Sequence, residues 1–92
     1  MHADVSALIP CYNASGTIRR ALLSVVGQTV LPWEIIVVDD CSTDSSYSLV
    51  QELSCEFSSI ARFVVLKNER NIGPSATRNI AWSHASCHYV AF

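Results

Sequence analysis

The sequence predicts an α/β domain, a three-layer unit in which strands and helices alternate as β-α-β-α-β-α-β around a parallel sheet. Three observations carry this. Short apolar runs rich in β-branched residues, Val5 to Ile9, Ile35 to Val38 and Phe63 to Leu66, alternate with segments whose apolar residues recur at helical spacing. The stretch Trp33 to Val38 is nearly continuous in its apolarity, the pattern of a strand covered on both faces. Finally, polar turn formers separate each apolar run from the helical pattern that follows, and right-handed crossovers fold such an order into a parallel sheet with helices on both sides.

Taken in order, Val5 to Ile9 forms strand one and is ended by Pro10 and the turn formers Asn13, Ser15 and Gly16. Ile18, Leu22, Val25 and Val26 make the buried stripe of helix one, with Arg19 and Arg20 on its outer face and Gly27 closing it. After a break at Leu31-Pro32, strand two runs from Trp33 to Val38 and stops at Asp39-Asp40. Ser42, Thr43 and Asp44 offer caps for helix two, whose stripe is Leu49, Val50, Leu53 and Phe57. Arg62 to Lys67 supplies strand three. Asn68 to Gly73 is a polar loop, and Pro74 opens helix three, where a first turn tolerates it, through about His84. His88 to Phe92 reads as strand four.

With 92 residues, half of them hydrophobic, the chain can build one small core and no second domain. A chain of this size buries roughly 60% of its unfolded surface, so residues 1–92 are expected to be a single partial domain with a thin stability margin. A net charge of −2 without a basic stripe argues against nucleic acid as a partner. Apolar runs of four or five residues fall far short of the roughly 20 that cross a bilayer, and no basic stretch precedes a long apolar one at the N-terminus. A cytoplasmic location is expected on these grounds, with membrane association of a full-length protein left open. Cys11, Cys41, Cys55 and Cys87 are too widely spaced for a C-x-x-C metal knuckle and read as reduced core or pocket-edge residues. His2, His84 and His88 show no metal-ligand spacing and are read as structural.

In sheets of this kind ligands bind at the carboxyl ends of the strands, and there Pro10 to Asn13, Asp39 to Asp44 and Asn68 to Gly73 converge. Strand alternation points Asp39 and Asp40 to opposite sides, so the two carboxylates cannot share one task. From the residues alone they also fit ordinary turn chemistry, one capping a helix and one facing solvent, just as Tyr12 also fits plain core packing.

Four stretches in combination resemble glycosyltransferase family 2, whose members have the Rossmann-like nucleotide-diphospho-sugar transferase fold called GT-A. They are Val5-Ser-Ala-Leu-Ile-Pro-Cys-Tyr-Asn13, Ser24-Val-Val-Gly-Gln-Thr29, Glu34-Ile-Ile-Val-Val-Asp-Asp-Cys-Ser-Thr-Asp44 and Asn71-Ile-Gly-Pro-Ser-Ala-Thr-Arg-Asn79. The resemblance implies that Pro10, Tyr12 and Asn13 line a nucleotide pocket, with the Tyr12 ring against the base, a role for which an aromatic face is well suited. It implies that Asp40 accepts the N3–H of uracil or a comparable donor while Asp39 steadies the loop. A carboxylate only accepts, so it favours a base edge that carries a donor. Gly73 would let the backbone approach the ligand, and Arg78 would reach the nucleotide or its pyrophosphate. Asp44 is explained by capping and Asn79 by structure. Cys41 stands where many relatives carry Gly.

The reaction implied is transfer of a sugar from a nucleotide diphosphate, a UDP-sugar above all, to an acceptor hydroxyl with inversion. In the family the fourth strand leads into a D-x-D motif that holds Mg²⁺ or Mn²⁺ on the pyrophosphate, and the general base comes later still. Both are expected beyond Phe92. No catalytic residue and no metal ligand is therefore assigned within the chain, the divalent metal belongs to the full-length enzyme, and the acceptor is unassigned. These 92 residues alone are expected to bind nucleotide weakly and not to turn over.

Other readings follow from the same architecture. A receiver domain has its acidic pair after strand one, not strand two, and needs a later Asp, whereas none occurs after Asp44. A nucleotidyltransferase needs a glycine-rich loop after strand one, where only Gly16 lies. A non-catalytic nucleotide-binding or interaction module remains compatible with the length. A fourth strand without further neighbours would leave an unpaired edge and apolar surface around Trp82, Tyr89 and Val90, from which homodimerisation is expected.

Overall fold

A computed structural model describes residues 2–91; Met1 and Phe92, and with Phe92 the end of the expected fourth strand, lie outside the described residues. The elements are β1 (His2–Cys11), α1 (Ile18–Val26), β2 (Leu31–Asp39), α2 (Ser46–Glu56), β3 (Arg62–Lys67), α3 (Pro74–Ser83) and β4 (Tyr89–Ala91). Their order matches the sequence reading, and the main corrections concern bounds. β1 begins three residues earlier and runs two further than its apolar run, because His2 and Ala3 pair with Leu31 and Pro32 before an irregularity that precedes Ser6. Leu31-Pro32 is thus the start of β2 and not a break, in keeping with the tolerance of proline at the first positions of a strand. β4 starts at Tyr89 and not at His88.

All pairings are parallel, in the order β3-β2-β1-β4. The chain builds outward from β1 to β3, and α3 then carries it back across the sheet to lay β4 on the other side of β1. That reversal is a topological switch point, where the carboxyl ends of neighbouring strands open a crevice. It also explains the layers. Odd-numbered residues of β2, Ile35 and Val37, pack with Ile18 and Leu22 of α1 and Val50 and Leu53 of α2. Even-numbered Ile36 and Val38 pack with Leu8 and with Ala81 of α3. β2 is therefore buried on both faces from Glu34 to Asp39, as its continuous apolarity predicts.

Glu34 is the polar exception within that run and is 1% exposed. Its carboxylate accepts from the Ser86 N–H at 3.2 Å and from the Ser86 hydroxyl, which pins the α3–β4 connection beneath the sheet. His88 and Asp4 add a second tie to the same connection, Nδ1 to Oδ2 at 2.5 Å, and this hydrogen bond holds the Asp4 carboxyl below its ordinary range. β4 lies at an edge of the sheet with Tyr89 largely exposed, and the opposite edge is β3. All four cysteines are free thiols. Among the described residues no helix is long and apolar enough to cross a membrane.

Ile36 is fully buried between the sheet and α3, so Ile36→Ala is expected to cost about 2–5 kcal/mol, the usual penalty of a truncated core aliphatic. Urea denaturation measures it, and a loss below about 1 kcal/mol would contradict the packing of α3 on this face.

Candidate functional site

The carboxyl end of β1 passes into Pro10, Cys11 and Tyr12, that of β2 into Asp40, and the β3–α3 loop delivers Asn71, Gly73, Pro74 and Thr77. These eight residues line one pocket of about 370 Å³ on the α3 side of the sheet. The volume lies within the range of small-molecule sites. Tyr12 leaves its strand half exposed, with half of its surface open to solvent, so it forms a wall of the pocket and not part of the core. Strand pairing continues under the floor: the Asp40 N–H donates to the Cys11 carbonyl at 2.8 Å, and the Asn68 N–H to the Asp39 carbonyl at 2.8 Å.

Asp39 and Asp40 take opposite sides, as alternation requires. Asp40 turns to α3 and is 3% exposed. Its Oδ1 accepts from the Asn68 amide at 3.0 Å and the Ile72 N–H at 2.9 Å, and its Oδ2 accepts from the Gly73 N–H at 2.9 Å. Burial pushes this carboxyl up, but the donors Asn68, Ile72 and Gly73, with Thr77, outweigh it and leave it below the ordinary carboxylate range. Oδ1 thus takes two donors and Oδ2 the Gly73 N–H, with the Thr77 hydroxyl also lowering the group. Gly73 makes the arrangement possible. Its φ of 92° and ψ of 163° belong to a region that only glycine enters readily, and the turn aims two successive N–H groups at one carboxylate.

Asp39 faces the other way, where its Oδ1 and Oδ2 accept from the Ser42 hydroxyl at 2.6 Å and the Ser42 N–H at 2.9 Å. Ser42 then accepts from the Asn13 N–H at 2.9 Å, and the Asn13 side chain accepts from the Thr43 N–H at 2.8 Å. Ala14 donates its N–H to the Ser46 hydroxyl at 2.7 Å and Ser15 its N–H to Asp44 at 3.3 Å. The β1–α1 and β2–α2 loops are thereby clasped together. Asp44 precedes the N-cap Ser45 and accepts from the Ser46 N–H at 2.9 Å and hydroxyl at 2.5 Å, so it closes the entry to α2 without being its N-cap. The bond from the Ser46 hydroxyl is the main reason its carboxyl is lowered to about 2.

Of the residues expected at the pocket, Pro10, Tyr12, Asp40 and Gly73 line it together. Asn13 and Asp39 stand behind it in the loop clasp. Arg78 is exposed on α3, with its guanidinium 3.5 Å from the Ser75 hydroxyl. Cys11, read from the sequence as a core or pocket-edge residue, also lines it, and Asn71, Pro74 and Thr77 do so without having been singled out. Asn71, Pro74 and Thr77 lie in the fourth family-like stretch, and Pro74, Thr77 and Ala81 share one helical face, which is the signal that could have found Thr77. Asn68 showed only a loop composition. Burial and the neighbouring charge of Asp39 push the Cys11 thiol up to about 11, so it stays protonated at neutral pH. Cys41 has φ 58°, the left-handed region, which glycine enters without the penalty that a side chain incurs. Among the described residues no group of three or more His, Cys, Asp or Glu could hold a metal ion.

Comparison with known proteins places this geometry. The family model described as glycosyl transferase family 2 matches residues 6–92. The chain is 39% identical over 88 residues to the UDP-Glc:alpha-D-GlcNAc-diphosphoundecaprenol beta-1,3-glucosyltransferase WfgD of Escherichia coli, covering 96% of this chain and 33% of that protein. It superimposes on S. aureus TarS 1-349 in complex with UDP with a TM-score of 0.82 at 33% identity, covering 96% of this chain and 26% of that one. The mannosyltransferase PcManGT from Pyrobaculum calidifontis, in complex with GDP-Man and Mn²⁺, shares the fold with a TM-score of 0.85 at 24% identity, covering 98% of this chain and 26% of that one. The chain therefore spans about a third of the WfgD length and about a quarter of the solved chains.

Two outcomes test the site's construction. A left-handed non-glycine residue costs about 1–2 kcal/mol and glycine loses about 0.5–1 kcal/mol in entropy, so Cys41→Gly is expected to stabilise by about 0.5–1 kcal/mol in urea denaturation; destabilisation would contradict the strain. Asp44 is lowered on folding, so its contribution is complete above its unfolded value of 3.8 and is lost as pH falls toward about 2. Asp44→Asn should therefore flatten the loss of stability below pH 4 in an acid titration followed by circular dichroism, and an unchanged acid limb would count against the clasp.

Proposed function

Because the chain belongs to glycosyl transferase family 2, we propose that it is the nucleotide-recognising portion of an inverting enzyme that transfers a sugar from a UDP-sugar to an acceptor hydroxyl, with UDP as the leaving group. The observation that carries this reading is the pocket itself, in which the half-exposed Tyr12 stands with a buried carboxylate held by Asn68, Ile72 and Gly73. A base stacked on Tyr12 presents its edge to Asp40, and the acceptor-only carboxylate selects an edge that carries an N–H. Pro10 and Gly73 shape the walls, Asn13 and Asp39 hold the loop that carries Tyr12, and Arg78 reaches the diphosphate from α3.

UDP as the nucleotide is supported by the donor named for WfgD and by the UDP bound in the TarS complex. The sugar-transfer chemistry, with its divalent cation, is assigned to the whole enzyme, and the 92 residues by themselves are read as binding without turnover. Cytoplasmic action and self-association through the β4 edge belong to the same proposal.

Titration of the chain with UDP, TDP and GDP, followed by thermal stability, tests the assignment, since a ligand at 100 times its Kd stabilises the folded state by about 2.7 kcal/mol. UDP is expected to stabilise most. Asp40→Asn, which replaces an acceptor oxygen by a donor, should weaken UDP binding about tenfold or more. Unchanged UDP affinity in that variant would remove Asp40 from base recognition.

A further inference from the structure

The Asp40 carboxylate is set by one side chain that the nucleotide reading does not use. Asn68 leaves the end of β3, is 9% exposed, and lies outside the residues that line the pocket. Its amide nitrogen stands 3.0 Å from Asp40 Oδ1 and 3.2 Å from the Thr77 hydroxyl oxygen, and that hydroxyl donates to the Gly73 carbonyl at 2.7 Å. Asn68 thus joins the end of β2 to the first turn of α3. Together with the Ile72 N–H it occupies Oδ1, while Oδ2 takes the Gly73 N–H.

The two oxygens of a freely rotating carboxylate are interchangeable; here they are not. We propose that Asn68 is a positioning residue for base recognition: by occupying Oδ1 it fixes the Asp40 carboxylate so that Oδ2 serves the pocket. The consequence is specificity. A base edge with an N–H donor meets an acceptor of fixed direction, whereas an edge with a ring-nitrogen acceptor meets lone pair against lone pair. The inference rests on the nucleotide reading and adds a residue that never touches the ligand.

The experiment measures the affinities of UDP, whose N3 carries a hydrogen, and CDP, whose N3 does not, by calorimetry from pH 5.5 to 8. It compares the parent chain with Asn68→Ala and Asn68→Asp. The parent should prefer UDP across this range, because its donors hold Asp40 below the ordinary carboxylate range. Asn68→Ala should lose about tenfold in UDP affinity with little change for CDP, the scale of a lost hydrogen bond to a charged acceptor. In Asn68→Asp two carboxylates meet, and such a pair shares one proton until the pH passes its raised apparent pKa. At low pH that proton replaces the amide donor and the UDP preference returns; as pH rises it is lost.

Recovery in a sample returned from pH 8 to pH 5.5 shows that the variant is folded. Equal losses for UDP and CDP, or an unchanged ratio in Asn68→Ala, would reduce Asn68 to a loop support and overturn the proposal. A parent chain that binds UDP and CDP equally would instead defeat the nucleotide reading, and this inference would fall with it.

Discussion

A strand buried on both faces cannot end in water without a device to bring its charges out, and β2 ends in two carboxylates. Alternation sends them to opposite faces, so each becomes the anchor of a different loop. Asp39 gathers Ser42 and, through it, the β1–α1 turn; Asp40 gathers Asn68, Ile72 and Gly73. Neither carboxylate has a cationic partner among these bonds. Their charge is balanced by hydroxyl, amide and backbone N–H groups, which can stabilise a buried anion when several converge on it.

This division explains why the pocket has a rigid rear and an open front. The clasp behind Tyr12 is made of short side chains bonded to backbone, which lose little rotamer freedom on ordering. Tyr12 itself is left half exposed. Gly73 brings the β3–α3 loop close to the same carboxylate without needing extra space, since nothing lies within 4 Å of where its Cβ would be. The backbone angle, and not crowding, therefore fixes glycine at that position.

Much of this was legible in the residues. Apolar runs and helical stripes placed all seven elements, since those patterns record burial directly, and the motif stretches placed Pro10, Tyr12, Asp40 and Gly73 at one edge. Strand ends were misjudged where pairing, which has no apolar signature, extends them: His2 and Ala3 precede the apolar run yet pair with Leu31 and Pro32. Glu34 and Asn68 were not legible as buried groups. A polar residue in a sequence reports its own chemistry, but its burial depends on partners elsewhere, here Ser86 and Asp40. Nor was the bond of Asn13 legible, since its side chain turns to Thr43, 30 residues on.

The bonds that form the pocket join residues about 30 positions apart in sequence, as with Asn13 and Ser42 or Asp40 and Gly73. None of them can form before parallel strands have been brought side by side, and closing loops of that length costs entropy before any contact offsets it. The site is thus a late product of folding. Any opening that parts β1 from β2 or lifts the β3–α3 loop from Asp40 therefore dismantles the pocket with it.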